Sequence, residues 1–272
     1  MVYRVSRAPL FRLALALGIS LAGTAFPLRL AAQDTVRVLS YNIRHGAGMD
    51  DSVDLRRAAA VIVAQHPDVV LLQEIDYRTE RTGGVDQPRA LAELTGLPYH
   101  AFGRFMDYRG GQYGMAVLSA TPILDSTTHV LPEGEEPRSV LAARIRPTPS
   151  APELVFVDIH LYRTETERLA QAERLVEIFA TESRPVLLVG DFNSQPGDSV
   201  LTLLSRHWYM PQKPAEAHFT FPADRPEREI DFVLYRPAER FRLLEYRVLD
   251  ERVASDHRPV LAVLEVGTSS EK

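Results

Sequence analysis

Eight polar residues carry the chemistry this chain offers: Asn42, Glu74, His160, Asp191, Asn193, Asp231, Asp256 and His257. Each stands at or beside the end of an apolar run. The most telling stretch is Pro185-Val-Leu-Leu-Val-Gly190-Asp191-Phe192-Asn193-Ser194-Gln195-Pro196. Its four consecutive apolar residues suit a strand covered on both faces, Gly190 releases the strand into a loop, and Pro196 blocks an immediate return to regular structure. Asp191 and Asn193 alone fit an Asx-turn equally well. Asp231 is harder to explain so simply, because it sits inside the otherwise apolar run Ile230–Tyr235, where a carboxylate without a partner is costly. Oxygen and imidazole donors in a chain with no cysteine suit a hard cation, Mg²⁺ or Mn²⁺, and not a thiolate zinc site. A glycosidase-type carboxylate pair would employ Glu74 and Asp191 but leave Asn42, His160, Asn193 and His257 without work.

The elements that must position these residues follow from periodicity. Thr35–Ser40 alternates as a strand and runs into Tyr41-Asn42. Asp54 caps a helix whose apolar positions are Leu55, Ala58, Ala59, Ile62 and Val63, and Pro67 closes it. Asp68–Glu74 is a second buried strand, so the order strand, helix, strand implies a crossover and a parallel pair. A short helix is expected over 88–94, and strands over 111–119, 127–131, 139–146 and 154–160. Thr164-Glu-Thr-Glu167 has the form of a capping box, followed by the apolar stripe Leu169, Ala172, Leu175, Val176 and Phe179. After the 186–189 strand come a short helix near 198–204 and strands over 230–235, 241–249 and 260–266.

In this order the motifs resemble the endonuclease/exonuclease/phosphatase family. The matching pieces are Ser40-Tyr41-Asn42, Leu72-Gln73-Glu74, Tyr113–Ser119, Asp158-Ile-His160-Leu161, Gly190-Asp191-Phe192-Asn193, Ile230-Asp231-Phe232 and Ser255-Asp256-His257. The resemblance implies an α/β fold, a four-layer sandwich in which two mixed β-sheets pack face to face with helices outside. It implies an Mg²⁺- or Mn²⁺-dependent phosphoester hydrolase with Glu74 as principal metal ligand and Asn42 and Asp256 near or on the metal. By the same resemblance, Asp191 and Asn193 handle the attacking water and phosphate oxygens, and His160 donates to a phosphate oxygen. His257 is the base-like histidine, oriented by Asp231; whether it or Asp191 takes the proton stays open. Three positions depart from the family: Arg44 replaces the aspartate of some nucleases, Ile159 replaces a commoner threonine, and Tyr113 directly precedes Gly114.

Composition narrows the partner. Residues 1–32 read as a signal peptide: Arg4, Arg7 and Arg12 flank the apolar run Leu13–Phe26, and Ala31-Ala32 forms a small-residue exit. An uncleaved anchor or a buried first helix are the alternatives, but the run is shorter than the about 20 apolar residues a span needs. The expected product is a secreted or periplasmic catalytic domain over 33–267, without a membrane span, with a polar tail over 268–272, and monomeric. Four arginines and no acid leave with residues 1–32, taking the net charge from −5 to −9. With only two lysines, Lys213 and Lys272, such a chain is poorly suited to long nucleic acids, which bind through clustered cations. The expected substrate is therefore a small-molecule phosphoester or a lipid head group. An extracellular nuclease is the alternative, and a non-catalytic binding module is disfavoured because every motif position is filled. Arg138, Arg225 and Arg228, without evident partners in the sequence, are expected to face solvent, with a place facing the substrate as the alternative.

Overall fold

The computed structural model describes residues 1–2 and 34–267. The expected signal peptide, apart from Met1 and Val2, and the 268–272 tail lie outside the described residues. The first elements are β1 (Asp34–Asn42), α1 (Leu55–Ala64), β2 (Val69–Tyr77), α2 (Gln87–Thr95), β3 (Tyr99–Tyr108) and β4 (Gly111–Ser119). They are followed by β5 (Ile123–Val130), β6 (Ser139–Ile145), β7 (Leu154–His160), α3 (Glu165–Phe179), β8 (Val186–Asp191) and α4 (Ser199–Leu204). The chain closes with β9 (Asp231–Arg236), β10 (Phe241–Val248) and β11 (Val260–Val266).

The strands form a six-stranded sheet, β10-β11-β1-β2-β4-β3, and a five-stranded sheet, β5-β6-β7-β8-β9. Both are mixed: β1 with β2 and β7 with β8 are parallel, the remaining pairs antiparallel. The strand period of two explains the layers. In β8, Leu187 and Val189 join the core between the sheets, while Val186 and Leu188 turn to α3 and α4. In β2, Val69 and Leu71 face between the sheets, and Val70 and Leu72 pack under α1 and α2. Helix, sheet, sheet and helix thus stack as the expected four-layer sandwich, with central strands apolar on both faces. Among the described residues, no helix is long and apolar enough to cross a membrane.

Some local expectations change. Thr164 is the N-cap of α3, but its hydroxyl donates to Glu167 Oε2 (2.8 Å) while Glu135 N–H donates to Glu167 Oε1 (2.7 Å), so no capping box forms. The glutamate is drawn outward to the β5–β6 loop. Strand β3 was not anticipated; it lies at the sheet edge, largely exposed, with a glycine at its centre.

Candidate active site

The parity that builds the layers also delivers the site. His160, Asp191 and Asp231 are direct neighbours across β7, β8 and β9. They share strand parity with the inward-facing Phe156, Val189 and Val233, so all three project between the sheets at one end. From the opposite sheet, Asn42 ends β1 with the parity of Val36 and Val38. Glu74 would by alternation point under the helices with Leu72. A register shift between Leu72 and Ile75, with Glu74 at φ 58°, turns it instead toward the carboxylates. Behind it, Gln73 Nε2 donates to Asp158 Oδ1 across the sheets at 2.6 Å, tying β2 to β7.

Asp191, 1% exposed, is the hub. Its Oδ2 lies 3.3 Å from Asn42 Nδ2, 3.4 Å from His160 Nε2 and 3.7 Å from His257 Nε2. Its Oδ1 accepts the Asn193 backbone N–H at 2.8 Å. Asn42 Nδ2 also donates to Glu74 Oε1 at 3.1 Å, and its Oδ1 accepts from Arg44 N. In this arrangement Asn42 presents its amide nitrogen, not its carbonyl oxygen, to the carboxylates. Asn193 Nδ2 donates to Leu161 O. His257 Nδ1 meets both Asp231 oxygens, at 3.0 and 3.2 Å. Ser255 Oγ donates to Asn42 O at 2.7 Å, anchoring the Asp256-His257 loop to β1.

A cavity of ≈ 310 Å³ opens on this cluster, lined by Glu74, His160, Asp191, Asn193, Asp256 and His257. Asn42 and Asp231 stand behind the lining through the contacts above. All eight residues singled out from the sequence therefore converge. The cavity is also lined by Tyr113, Arg138, Tyr162, Arg163, Phe221 and Arg228. Arg138 thus does not lie in open solvent as expected, whereas Arg228 is exposed at the rim of the cavity and Arg225 stays outside it, beside Asp224. Arg138 is 7% exposed, paired to Glu136 at 2.9 Å and stacked on Phe105. The acidic run Glu133–Glu136 before it was the available signal, but nothing in a linear pattern shows a cation folding inward.

Arg138 Nη1 lies 3.3 Å from His160 Nδ1, and since a guanidinium only donates, Nδ1 accepts and the ring proton sits on Nε2. Burial, reinforced by Arg138, holds the His160 imidazole well below its usual range, so it is a neutral donor aimed at the cavity. His257 is the opposite case. Burial acts to lower it, but Asp231 and Asp191 outweigh burial and push it up to about 10, leaving an imidazolium at neutral pH. Burial pushes the Asp191 carboxyl up to about 7, His257 opposing and Asp231 adding. Glu74 is raised by burial first and by the neighbouring Asp256 second. One more buried contact was invisible in sequence: Lys213 Nζ donates to Asp231 O and Glu229 Oε1, both at 2.8 Å.

The donor set fits a hard divalent cation. Asp256 is a like charge close enough to disfavour ionisation of Glu74, which a bound cation would relieve. Asp191, Asp231 and His257 also bring ligand atoms within 4.8 Å of one another. There, however, the Asp231–His257 hydrogen bond already uses the imidazole nitrogen and both carboxylate oxygens. The carboxylates of Glu74 and Asp256 are the better cation seat.

The endonuclease/exonuclease/phosphatase family model matches residues 39–257. Among solved structures, an endonuclease/exonuclease/phosphatase from Beutenbergia cavernae is 27% identical, with TM-score 0.71, over 86% of this chain and 72% of that one. A mannosyl-6-phosphatase of Bacteroides thetaiotaomicron shares the fold at TM-score 0.68 and 19% identity, over 84% of this chain and 99% of that one. The uncharacterized protein YbhP of Escherichia coli K12 is 28% identical over 256 residues, 85% of this chain and 96% of that protein. With the family model matched over residues 39–257, most of its length and the span that holds the cavity residues, the chain belongs to the endonuclease/exonuclease/phosphatase family.

Proposed function

We propose that this protein is a divalent-metal-dependent phosphoester hydrolase acting on a small-molecule or lipid-derived phosphoester outside the cytoplasm. The observation that carries the reading is the hub at Asp191, with Asn42, His160 and His257 all within 3.3–3.7 Å of one carboxylate oxygen. Glu74 and Asp256 would hold the cation, Mg²⁺ or Mn²⁺, which when bound neutralises phosphate charge. Arg44 Nε, 3.8 Å from Asp256 Oδ2, supplies fixed positive charge on that side and favours a single cation.

The chain's own groups divide the remaining work. Neutral His160 offers Nε2–H to a phosphate oxygen, and Asn193 lies beside it on the adjoining strand end. Imidazolium His257, held by Asp231, meets negative charge as it spreads over the oxygens. A carboxyl pushed up to about 7 is matched to taking a proton from water near neutrality, which favours Asp191 as the base. The net charge of −9 without residues 1–32 supports a small substrate over a nucleic acid. The mannosyl-6-phosphatase on the same scaffold is in keeping with a small phosphoester.

The test is a hydrolysis screen of the purified protein against phosphodiesters, phosphomonoesters, phospholipids and DNA, each with Mg²⁺ and with EDTA. Metal-dependent release of product from a small or lipid phosphoester is expected. Hydrolysis confined to DNA would replace this reading with the nuclease one, and no hydrolysis of any phosphoester would end it.

A further inference from the structure

Two arginines lining the cavity have no part in the chemistry just described. Arg163 follows the end of β7 by three residues, and Arg228 precedes β9 by the same number. Between them, Asn193 follows β8. Adjacent strands are about 4.8 Å apart, so these loops flank the His160–Asn193 corner over about 10 Å of sheet edge. Among the described residues, neither guanidinium forms an ion pair, although the chain carries an excess of acids. Each stacks on an aromatic ring instead: Arg228 on Phe221 at 4.5 Å and Arg163 on Tyr162 at 5.7 Å. Phe221 in turn lies 4.8 Å from the His257 ring, and the Tyr162 hydroxyl donates to Glu135.

Stacking holds the Arg228 guanidinium by its face and leaves its N–H edge open to an anion, while Arg163 is held by a hydrogen bond to the Tyr162 hydroxyl and keeps its remaining N–H groups for one. The backbone beneath Arg163 is also built. Arg168, more than nine-tenths buried, donates Nη1 to Arg163 O, and its Nε has no hydrogen-bond partner among the described residues. Two preset cations beside a centre that already has donors for one phosphate are surplus to a singly phosphorylated substrate.

We propose that Arg163 and Arg228 form a second anion subsite, so that the substrate is a phosphoester carrying a further phosphate within a few bonds of the scissile one. The substrate assignment rests on the phosphoester reading; the subsite itself rests only on binding. Two sources of such chemistry, a polyol or lipid head group and a nucleotide, are separated by the choice of probe.

The experiment is calorimetric titration of the whole chain in EDTA, where turnover is suspended, at fixed ionic strength. One probe pair is myo-inositol 1-phosphate and inositol 1,4-bisphosphate; the other is adenosine 5′-phosphate and adenosine 3′,5′-bisphosphate. In at least one pair the bisphosphate binds about tenfold tighter or more, the scale of one charge-assisted contact. The pair with the larger ratio identifies the source. Both arginines are exposed, so Arg163→Gln and Arg228→Gln should fold, as a thermal melt would check. Each substitution lowers the ratio, and the double variant brings it close to one. A wild-type ratio near one in both pairs, or a ratio that survives the double substitution, would overturn the proposal. The two readings fail separately. A preserved ratio with no metal-dependent hydrolysis removes the hydrolase reading alone, and hydrolysis with no ratio removes the subsite alone.

Discussion

Asp191, His160 and His257 show how one pocket can hold three titratable groups in three different states. Burial and the neighbouring Arg138 keep His160 neutral, whereas at His257 Asp231 and Asp191 outweigh burial and keep it charged. Asp191, between them, is left with a carboxyl near 7. If His257 must be protonated for turnover, activity is lost as pH rises through its pKa. Asp231 is the foremost of the groups raising that pKa, so Asp231→Asn lowers it and moves the alkaline limb of the pH–rate profile to lower pH. The same substitution should slow turnover by roughly 10²-fold, the lower end of what a positioned proton-handling group contributes. His257→Ala should cost at least as much, and the double variant little more than the worse single, because both disable one unit. An alkaline limb that stays put in Asp231→Asn, or strictly multiplicative losses, would separate the two residues.

At the scale of elements, the site depends on strands held close enough to keep His160, Asp191 and Asp231 in register. Gly190, one residue before Asp191, sits at φ 139°, and a Cβ there would lie 2.0 Å from Ile159 O. Backbone, not a flexible side chain, blocks it, so β7 and β8 would have to part. Gly190→Ala should therefore cost at least about 3 kcal/mol in denaturant unfolding, the range of steric and backbone strain in a core. A change within about 0.5 kcal/mol, as for a surface substitution, would mean the strands separate cheaply. The legible elements are those whose burial writes a pattern. The apolar run Val186–Val189 and the strand Val260–Val266 could be read directly, and β11 has the expected bounds. Strand β3 was illegible because an edge strand with little burial needs no apolar pattern, and Gly103 breaks what alternation there is. The inward turn of Glu74 was equally hidden, since it arises from a bulge and not from strand parity. For Arg138, charge reads as solvent exposure unless a partner is visible, and its partners are an aromatic ring and a histidine distant in sequence.

At the scale of the whole molecule, the proposed place of action rests on the pattern of residues 1–32 and the proposed substrate on net charge. The proposed export predicts a mature protein beginning near Gln33, found outside the cytoplasm. Mass spectrometry of protein from its native host reads this directly, and Met1 retained on soluble cytoplasmic protein would contradict it. The two sheets meet in one apolar core, and at one end Asn42, Glu74, Asp256 and His257 from the six-stranded sheet and its loops face His160, Asp191 and Asp231 from the five-stranded sheet. The central claim is that this meeting point seats a divalent cation through Glu74 and hydrolyses phosphoesters there. The most direct measurement is the hydrolysis rate of wild type and Glu74→Gln as a function of Mg²⁺ concentration, with an unfolding curve for each protein without metal. The variant should fold with unchanged or slightly greater stability, because a half-buried carboxylate with a raised pKa has been neutralised. Its metal-stimulated turnover should be abolished at limiting Mg²⁺. Hydrolysis by Glu74→Gln as fast as wild type at limiting Mg²⁺ would contradict the account.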